Sequence, residues 1–355
     1  MTHRFPIKEI ARQAGLGTAT VDRVLNGRAH VSPQSRLRVA AAVEELQAQE
    51  TQLAARGRRL FFDFVVEAPA RFSREIRAAV DAVVPGIGAA VCRPRFVMQE
   101  IMEEQAVVAV LHRIAKRGSH GVCLKARDTG AIRACVAALA EAGIPVVTFA
   151  TDITAKARLD YVGLDNAGAG RTAAGLIARI LRDRPGDVLA TRSHERFSGE
   201  EARETAFRAK LADCAPHLRV VSVQGGSGVA GATSRALDRV IGTFGSLRAV
   251  YSMGGGNRSI LETLSGHGLK PEVYVAHDLD AENRSLIHVG QLDFILHHDL
   301  AEDMRNVFYA FLAFHRLQVD WAEVRVSTVQ IVTPDNVPAG RAPRAHTPPH
   351  PVSGG

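Results

Sequence analysis

Residues 18–26 combine small, hydroxyl-bearing and basic side chains at spacings that suit hydrogen bonding to the edges of DNA bases. Thr18, Ala19 and Arg23 lie on one side of a predicted helix, opposite an apolar stripe that begins at Val21. Arginine can donate two hydrogen bonds to O6 and N7 of guanine, and small side chains let a helix approach the floor of the major groove. The chemistry predicted for this stretch is therefore recognition of base edges.

A helix that enters a DNA groove has to be held by neighbouring helices, and the flanking sequence supplies two. Apolar residues at positions 7, 10, 11 and 14 have helical spacing, and Gly15 ends that helix because glycine adopts a left-handed turn at little cost. Ser32 and Pro33 favour the start of a third helix that runs to about Leu46, since serine caps helices and proline is tolerated in the first turn. The pattern predicts a helix-turn-helix, with an ordinary helical hairpin as the alternative.

The order and types of these residues resemble the DNA-binding headpiece of the LacI (lac repressor) family. The resemblance rests on the run T-V-x-R-V-L-N at Thr20–Asn26 and on V-S-P at Val31–Pro33. It implies that the chain binds operator DNA with its second helix in the major groove. The residues expected to contact DNA are Thr18, Ala19, Thr20, Arg23, Asn26, Arg28, Ser32 and Arg56.

Two positions depart from the family pattern in this second helix. Gly17 stands where Ser is usual, and Asp22 stands where the family has a neutral Ser. An acid on the DNA face would repel phosphate. We therefore expect Asp22 either to restrain Arg23 or to accept a hydrogen bond from cytosine.

Residues 49–60 form a basic linker that corresponds to the hinge helix of the family, which places a leucine in the minor groove. Here Gly57 stands at the position of that leucine, and Glu50 replaces a usual Pro. Two interpretations stay open: a minor-groove wedge, and a flexible linker whose arginines contact only phosphates.

The net charge of +7 is concentrated near this N-terminal region. Residues 1–59 contain ten Lys and Arg against five Asp and Glu, which gives +5. Basic residues release counterions from DNA phosphates, so this distribution favours nucleic-acid binding by the N-terminal region alone.

From Phe61 onward the chain alternates regularly between short apolar strands and amphipathic helices. This alternation is typical of parallel sheets covered by helices on both faces. It occurs as two Rossmann-like halves of similar size, which together resemble the type I periplasmic-binding-protein fold. The expected fold is α/β, with an all-α helix-turn-helix headpiece followed by two doubly wound parallel-sheet subdomains.

The resemblance divides the chain into four regions. They are the headpiece (1–48), the linker (49–60), an effector-binding and dimerisation domain (61–334), and a Pro- and Gly-rich tail (335–355) that we expect to be disordered. Family topology assigns about 61–160 and 292–322 to the N-subdomain, and about 161–291 and 323–334 to the C-subdomain.

Ligands of open α/β sheets bind beyond the carboxyl ends of the strands. The residues that follow the predicted strands include carboxylates, amides, an aromatic ring and basic groups, which suit the vicinal hydroxyls of a sugar or polyol. The resemblance places Arg203 at the family's ligand-binding arginine, Asp278 at a strand-end acid and Asp165-Asn166 in V-G-x-D-N. The expected effector residues are Phe72, Asp152, Asp165, Asn166, Arg203, Asn257, Asp278 and His298.

Other roles stay open for single members of this set. Each could instead be a helix cap or part of a surface salt bridge, and Asp165 and Ser193 are N-cap candidates. The family's N-D-x-M-A motif is replaced by Met253–Asn257, a run that contains three consecutive glycines.

The sequence does not favour an enzyme. The glycine run lacks the G-K-[ST] of a phosphate loop, and there is no G-x-S-x-G or H-E-x-x-H motif. His297, His298 and Asp299 are adjacent on a strand and cannot converge on one metal ion. We therefore expect no cofactor and no metal.

The remaining composition is that of a cytosolic protein. The four cysteines have no metal-binding or CxxC spacing, and no apolar run has membrane-spanning length. We expect a cytoplasmic, nucleoid-associated homodimer that binds operator DNA and a small effector, does not bind membranes, and acts most typically as a repressor. The alternatives are a ligand-responsive activator or binding module with weak operator recognition, and a sugar-processing enzyme with a fused DNA-binding head.

Overall fold

The computed structural model describes residues 5–29, 31–56, 58–194, 197–226, 230–317 and 326–338, with only the backbone at 48–56 and 230. Among these residues, no helix combines the length and apolar character needed to cross a membrane. The tail predicted to be disordered falls mostly at 339–355, outside the described residues.

Three helices form the N-terminal headpiece: α1 (Ile7–Ala14), α2 (Thr18–Leu25) and α3 (Pro33–Arg56). They enclose a small apolar core that includes Ile10, Val21 and Val39. Gly15 ends α1 in the left-handed conformation, at φ 60°. The guanidinium of Arg38 donates to the Gly15 carbonyl oxygen at 3.2 Å and ties α3 to the turn.

The third helix does not end near Leu46 as predicted. It continues to Arg56, so most of the predicted linker is helical and joined to the headpiece. The physical reason is local: residues 47–56 are almost all good helix formers, and no Gly or Pro interrupts them. The predicted wedge position, Gly57, and the side chain of Arg56 lie outside the described residues.

A first parallel sheet follows, which we call the N-lobe together with its helices. Its strands are β1 (Arg59–Glu67), β2 (Val91–Gln99), β3 (Gly121–Lys125), β4 (Val146–Phe149) and β5 (Asp160–Val162), in the order β2-β1-β3-β4-β5. The helices between them are α4 (Ala70–Val83), α5 (Glu104–Arg117) and α6 (Gly130–Glu141). Because helices cover both faces, β3 and β4 are almost entirely buried, as their continuous apolar runs predict.

A second sheet forms the C-lobe. Its helices are α7 (Asn166–Leu181), α8 (Ser198–Cys214), α9 (Ala230–Asp238), α10 (Asn257–Gly266) and α11 (Ala281–His288). Its strands are β6 (Gly186–Arg192), β7 (Leu218–Gln224), β8 (Leu247–Ser252), β9 (Val273–His277), β10 (Phe294–His297) and β11 (Gln330–Val332). The strand order is β11-β10-β9-β8-β6-β7, and only the edge strand β11 runs antiparallel to its neighbour.

The chain returns to the N-lobe after β10, in helix α12 (Leu300–Phe314). The ring of Phe311 stacks on Phe62 of β1 at 5.0 Å, and Phe308 meets the same ring edge-on at 5.5 Å. The boundary predicted at residue 292 is therefore too early: β10 pairs with β9 of the C-lobe, and the crossing falls at 298–299. Sequence periodicity identified the strand, but it carries no information on which sheet accepts it.

Two crossings lie side by side between the lobes. The Ser327 amide donates to the Gly163 carbonyl, and the Asp165 amide donates to the Ser327 carbonyl, at 2.8 and 3.1 Å. This pairing joins the first crossing, after β5, to the segment that leads into β11. We call these adjacent crossing segments the hinge, and the facing edges of the two lobes enclose a cleft.

Candidate functional site

A set of converging polar side chains lies in the cleft, at the carboxyl ends of strands from both lobes. The cavity that remains there has a volume of about 60 Å³. Its charged lining residues are Glu67, Arg71, Glu100, Lys125, Glu200, Arg203, Asp278 and Asp280, and Phe72, His277, Asn283 and His298 also line it.

Arg203, in the second turn of α8, is held so that part of its guanidinium faces the cavity. Its Nε donates to Oδ1 of Asn166 at 2.7 Å, and its Nη1 donates to the Met253 carbonyl oxygen at 2.8 Å. Asn166 is itself fixed, because its Nδ2 donates to the Tyr161 hydroxyl at 3.0 Å. In the described part of the chain, Nη2 of Arg203 makes no hydrogen bond and remains for a ligand.

The α8 backbone that carries Arg203 rests directly on a glycine of α7. A Cβ atom on Gly170 would overlap the Arg203 carbonyl oxygen, whereas one on Gly175 in the same helix would meet nothing within 4 Å. Gly170 is therefore required by the close packing of α7 against α8. This packing fixes the position of the Arg203 backbone relative to the cleft.

Asp278 and His298 face the cavity from the other side. Asp278 follows β9 with φ 65°, a left-handed conformation that non-glycine residues rarely adopt, and this turns its carboxylate toward His298. The His298 Nε2 lies 3.8 Å from Asp278 Oδ1, and its Nδ1 lies 2.5 Å from Oδ2 of Asp303. Burial lowers the pKa of His298, but the hydrogen bond and charge of Asp303 outweigh this, so the pKa is raised overall.

The pKa of the neighbouring His277 is shifted in the opposite direction. Burial, with a smaller effect of nearby positive charge, holds its pKa well below the ordinary value, so the ring is neutral. Its Nε2 lies 2.9 Å from the Tyr251 hydroxyl, and its buried Nδ1 has no partner among the described residues.

Lys125 contributes a half-buried ammonium group at the end of β3. Its Nζ donates to the Glu67 carbonyl oxygen at 2.8 Å and lies 4.1 Å from the ring centre of Phe197, which belongs to the C-lobe. Burial lowers the pKa of Lys125, partly offset by the charge of Glu200. The Glu67 side chain is engaged elsewhere, because Arg127 donates to both of its oxygens.

Four of the eight residues expected to bind the effector line the cavity: Phe72, Arg203, Asp278 and His298. Phe72 is 8% exposed and stacks on Phe149 with an interplanar angle of 7°. It therefore contributes apolar aromatic surface to the lining of the cleft.

The other four residues lie outside the cavity lining, and each is held by a local partner. Asp152 forms a bidentate pair with Arg158, and Asp165 caps α7 by accepting from the Gly168 amide at 2.8 Å. Asn166 positions Arg203, as described above. Asn257 is 1% exposed and bonds to Asn283 and Tyr274 behind the lining.

The expected set also missed cavity residues in the first turns of the helices. Arg71 and Glu200 lie in the first turns of α4 and α8, and Asn283 follows the N-cap residue Asp280 of α11. In parallel sheets the helix that follows each strand begins beside the cleft. Extending the sequence search through the first turn of the helix that follows each strand would have included them.

The second candidate site is the outer face of α2. Val21 is the one fully buried residue of this helix, whereas Thr18, Ala19 and Arg23 are exposed. Thr20 is half-buried. The expected base-reading residues therefore share an accessible face, as the apolar stripe predicts.

One interpretation expected Asp22 to restrain Arg23, but in the structure Asp22 pairs with other residues. Its carboxylate accepts from Nδ2 of Asn26 at 2.8 Å and lies 3.1 Å from Nη1 of Arg28. Asn26 and Arg28, both expected to contact DNA, are thus tied to this acid. Ser32 is also engaged, because its hydroxyl accepts from the Ser35 amide at 3.1 Å and caps α3.

Two family models match the sequence. The model described as "Periplasmic binding protein domain" matches residues 96–313, more than half of the chain. The model described as "Bacterial regulatory proteins, lacI family" matches residues 6–47. No curated protein matches the sequence.

Solved structures share the fold at low sequence identity. A candidate LacI transcriptional regulator from Bacteroides fragilis has a TM-score of 0.68 at 16% identity, covering 79% of this chain and 98% of its own. GanP, a glucose-galactose binding protein from Geobacillus stearothermophilus, has 0.69 at 15%, covering 79% and 100%. A solute-binding protein from Burkholderia graminis in complex with D-arabinose has 0.69 at 17%, covering 79% and 97%.

Proposed function

Because the chain belongs to the periplasmic binding protein domain family and carries a lacI-family regulatory domain at residues 6–47, we propose that it regulates transcription from operator DNA under the control of a small effector. The headpiece supplies sequence recognition, and the cleft between the lobes supplies effector binding. We propose that this combination of domains serves a ligand-controlled DNA-binding protein and not an enzyme. Such a regulator acts in the cytoplasm, where its operator is.

We propose a sugar or polyol as the effector class. The observation that carries this proposal is that Arg203 and Asp278 approach one cavity from different elements, with Phe72 beside them. A guanidinium and a carboxylate can each hold two neighbouring hydroxyls, and an aromatic side chain can cover C–H groups. Two structural neighbours, GanP and the Burkholderia graminis protein, are described as binding sugars, which supports the same class.

The charges of the lining favour an uncharged effector over a sugar acid or phosphate. Asp280 is paired with Arg71, and Glu67 with Arg127. The remaining lining charges are two cations, Lys125 and Arg203, and three carboxylates: Glu100, Glu200 and Asp278. An added anion would enter a site that already has an excess of negative charge.

The mode of control follows from linkage between the two sites. An effector changes DNA affinity only to the extent that it binds one arrangement of the lobes better than another. We propose that the protein is a homodimer that places two headpieces on a pseudopalindromic operator, and that it represses transcription.

A thermal-shift screen with neutral sugars, polyols and sugar acids tests the effector proposal. A ligand that binds the folded protein raises the unfolding midpoint by mass action. We expect a shift with a neutral sugar or polyol that is lost in Arg203→Ala. It should be retained in Arg208→Ala, which removes an arginine of the same helix outside the cavity. A shift produced only by sugar acids would contradict the uncharged class.

Selection of duplexes from a random pool tests the DNA proposal. The bound pool should converge on a sequence with two related half-sites, and the sugar found in the screen should change its affinity. A pool that does not converge would contradict sequence-specific recognition. An affinity that the sugar leaves unchanged would contradict effector control.

A further inference from the structure

Arg71 reaches across the mouth of the cleft from the N-lobe to the C-lobe. Its Nε lies 2.8 Å from Oδ2 of Asp280, which is 2% exposed. Asp280 is held in place from within the C-lobe, because its Oδ1 caps α11 by accepting from the Asn283 amide at 2.8 Å. The pair is therefore a largely buried ion pair that joins the N-lobe to the C-lobe.

The same guanidinium lies against the glycine run at 254–256, in the segment that replaces the family's N-D-x-M-A motif. Gly255 follows β8 with φ 81°, and a Cβ atom built on it would overlap Nη2 of Arg71. A residue with a side chain at this position would push the guanidinium out of the cleft. The glycine thus provides the C-lobe surface against which Arg71 lies.

The cavity left beside Arg71 is too small for a monosaccharide. Its volume is about 60 Å³, whereas pockets that bind small molecules typically measure about 300–1,000 Å³. Other contacts between the lobes, such as the Gly199 amide donating to the Thr151 hydroxyl at 3.1 Å, lie on the hinge side, where Asn166 of the first crossing also approaches Gly199. An effector in this cavity therefore lies against Arg71, which forms part of its lining.

We propose that Arg71 is an intramolecular latch: without effector it holds the lobes closed through Asp280 and Gly255, and the effector has to displace it to enter. The lobe-closing role goes beyond the proposed function and does not depend on it. The gating role rests on the proposed effector cleft. The latch therefore holds the lobes together without a ligand. Effector binding then replaces the contacts of Arg71 with contacts of its own between the lobes.

Distance measurements on the full chain without any sugar test the closing role. Spin labels on Ile101→Cys in the N-lobe and Arg258→Cys in the C-lobe, both exposed positions beside the cleft, report the opening of the mouth. Cys214 is replaced by Ser in the same background, because it is the exposed native cysteine among the described residues. Pulsed electron resonance then gives the distribution of distances between the labels.

We expect a short, narrow distribution for the parent protein and a longer, broader one for Arg71→Ala. Asp280→Asn should give the same change, since it keeps the cap on α11 while removing the charge that Arg71 needs. Arg74→Ala, on the same helix but exposed to solvent, is the matched control and should match the parent. Circular dichroism verifies that each variant is folded.

Parent-like distributions in both Arg71→Ala and Asp280→Asn would overturn the latch, whatever the sugar screen shows. A broad distribution already present in the parent protein would overturn it as well. Failure of the sugar screen alone would contradict the proposed effector class and leave the closing role standing, so the two failures are distinguishable.

Discussion

Nδ1 of His298 lies 2.5 Å from Oδ2 of Asp303, and this pair occupies the point where the chain passes from the C-lobe back to the N-lobe. His298 is 2% exposed and Asp303 is fully buried. The Ser327 hydroxyl donates to the other oxygen of Asp303, so the carboxylate also touches the segment that leads into β11. The His298–Asp303 pair therefore links two chain segments between the lobes, the start of α12 and the segment that leads into β11. It also connects them to the cavity, because His298 lines it.

The first prediction concerns the pH dependence of stability that this pair creates. Because the pKa of His298 is raised in the folded protein, its stabilising effect is present below the ordinary histidine pKa and is lost as the pH rises through the raised value. We expect the free energy of unfolding in urea to fall between pH 7 and pH 9. Asp303→Asn should be less stable than the parent at pH 7, and the difference should shrink at pH 9.

Histidines whose pKa is lowered, such as His277 and His297, affect stability at lower pH and do not obscure this window. A difference between parent and Asp303→Asn that stayed constant from pH 7 to pH 9 would contradict an ionised His298–Asp303 pair.

A second prediction is that the latch weakens in acid. Burial raises the pKa of Asp280 to about 6, against the opposing effects of its cap on α11 and of Arg71, with Asp278 and Glu282 adding to the increase. Arg71 needs the ionised carboxylate, so the ion pair is lost as the pH falls through about 6. The label distances across the cleft should therefore lengthen between pH 7.5 and pH 5, and much less in Asp280→Asn.

The stability contribution of Asp280 has the opposite sign to that of the latch. A carboxyl whose folded pKa is raised favours folding below its unfolded pKa and loses that contribution as the pH rises through about 6. The closed arrangement at neutral pH is thus maintained at some cost in folding free energy. Distances that did not change with pH would contradict a latch formed by ionised Asp280.

Much of the architecture follows from apolar periodicity, and the exceptions have local causes. The buried strands β3 and β4 are short apolar runs between helical patterns, so their type and position could be predicted. The assignment of β10 to the C-lobe could not, because pairing between distant strands depends on the whole fold. The extension of α3 to Arg56 was missed because a family expectation of a hinge outweighed the helix-forming composition of the segment.

The cavity residues were predictable by location but not by orientation. Asp152 and Asn257 both follow a strand, as Asp278 does. Arg158 nevertheless binds Asp152, and the turn of α10 buries Asn257 against Asn283. Position relative to a strand end is encoded locally, whereas the direction of a side chain depends on partners far along the chain.

A third prediction separates packing from helix propensity within α7. Gly170→Ala should destabilise the protein by about 1–3 kcal/mol, because the added methyl group has to displace the α8 backbone at Arg203. It should also weaken the thermal shift caused by the effector, since Arg203 moves. Gly175→Ala is the control: its methyl group meets no atom, so the variant should gain up to about 1 kcal/mol from helix propensity.

Urea unfolding of the two variants measures the difference directly. Equal stability of Gly170→Ala and Gly175→Ala would show that α8 can move aside without cost. It would contradict the conclusion that Gly170 sets the position of Arg203.

The last prediction concerns the acid on the DNA-reading helix. Asp22 holds Arg28 and Asn26 and places a negative charge on the face that meets DNA, where phosphates repel it. Asp22→Asn keeps the size of the side chain, removes the charge and releases Arg28 for a phosphate contact. We expect tighter binding to selected duplexes, and a salt dependence of log K that steepens by roughly 1, as one further phosphate contact requires.

Fluorescence anisotropy at several salt concentrations gives both quantities. The double variant Asp22→Asn/Arg28→Ala should lose the added slope, because the released arginine is the proposed source of the new contact. The pair between Asp22 and Arg28 is exposed to solvent, so breaking it should cost the headpiece at most about 1 kcal/mol. If Asp22→Asn instead weakened binding and relaxed the preference for one base pair, Asp22 would be reading cytosine directly.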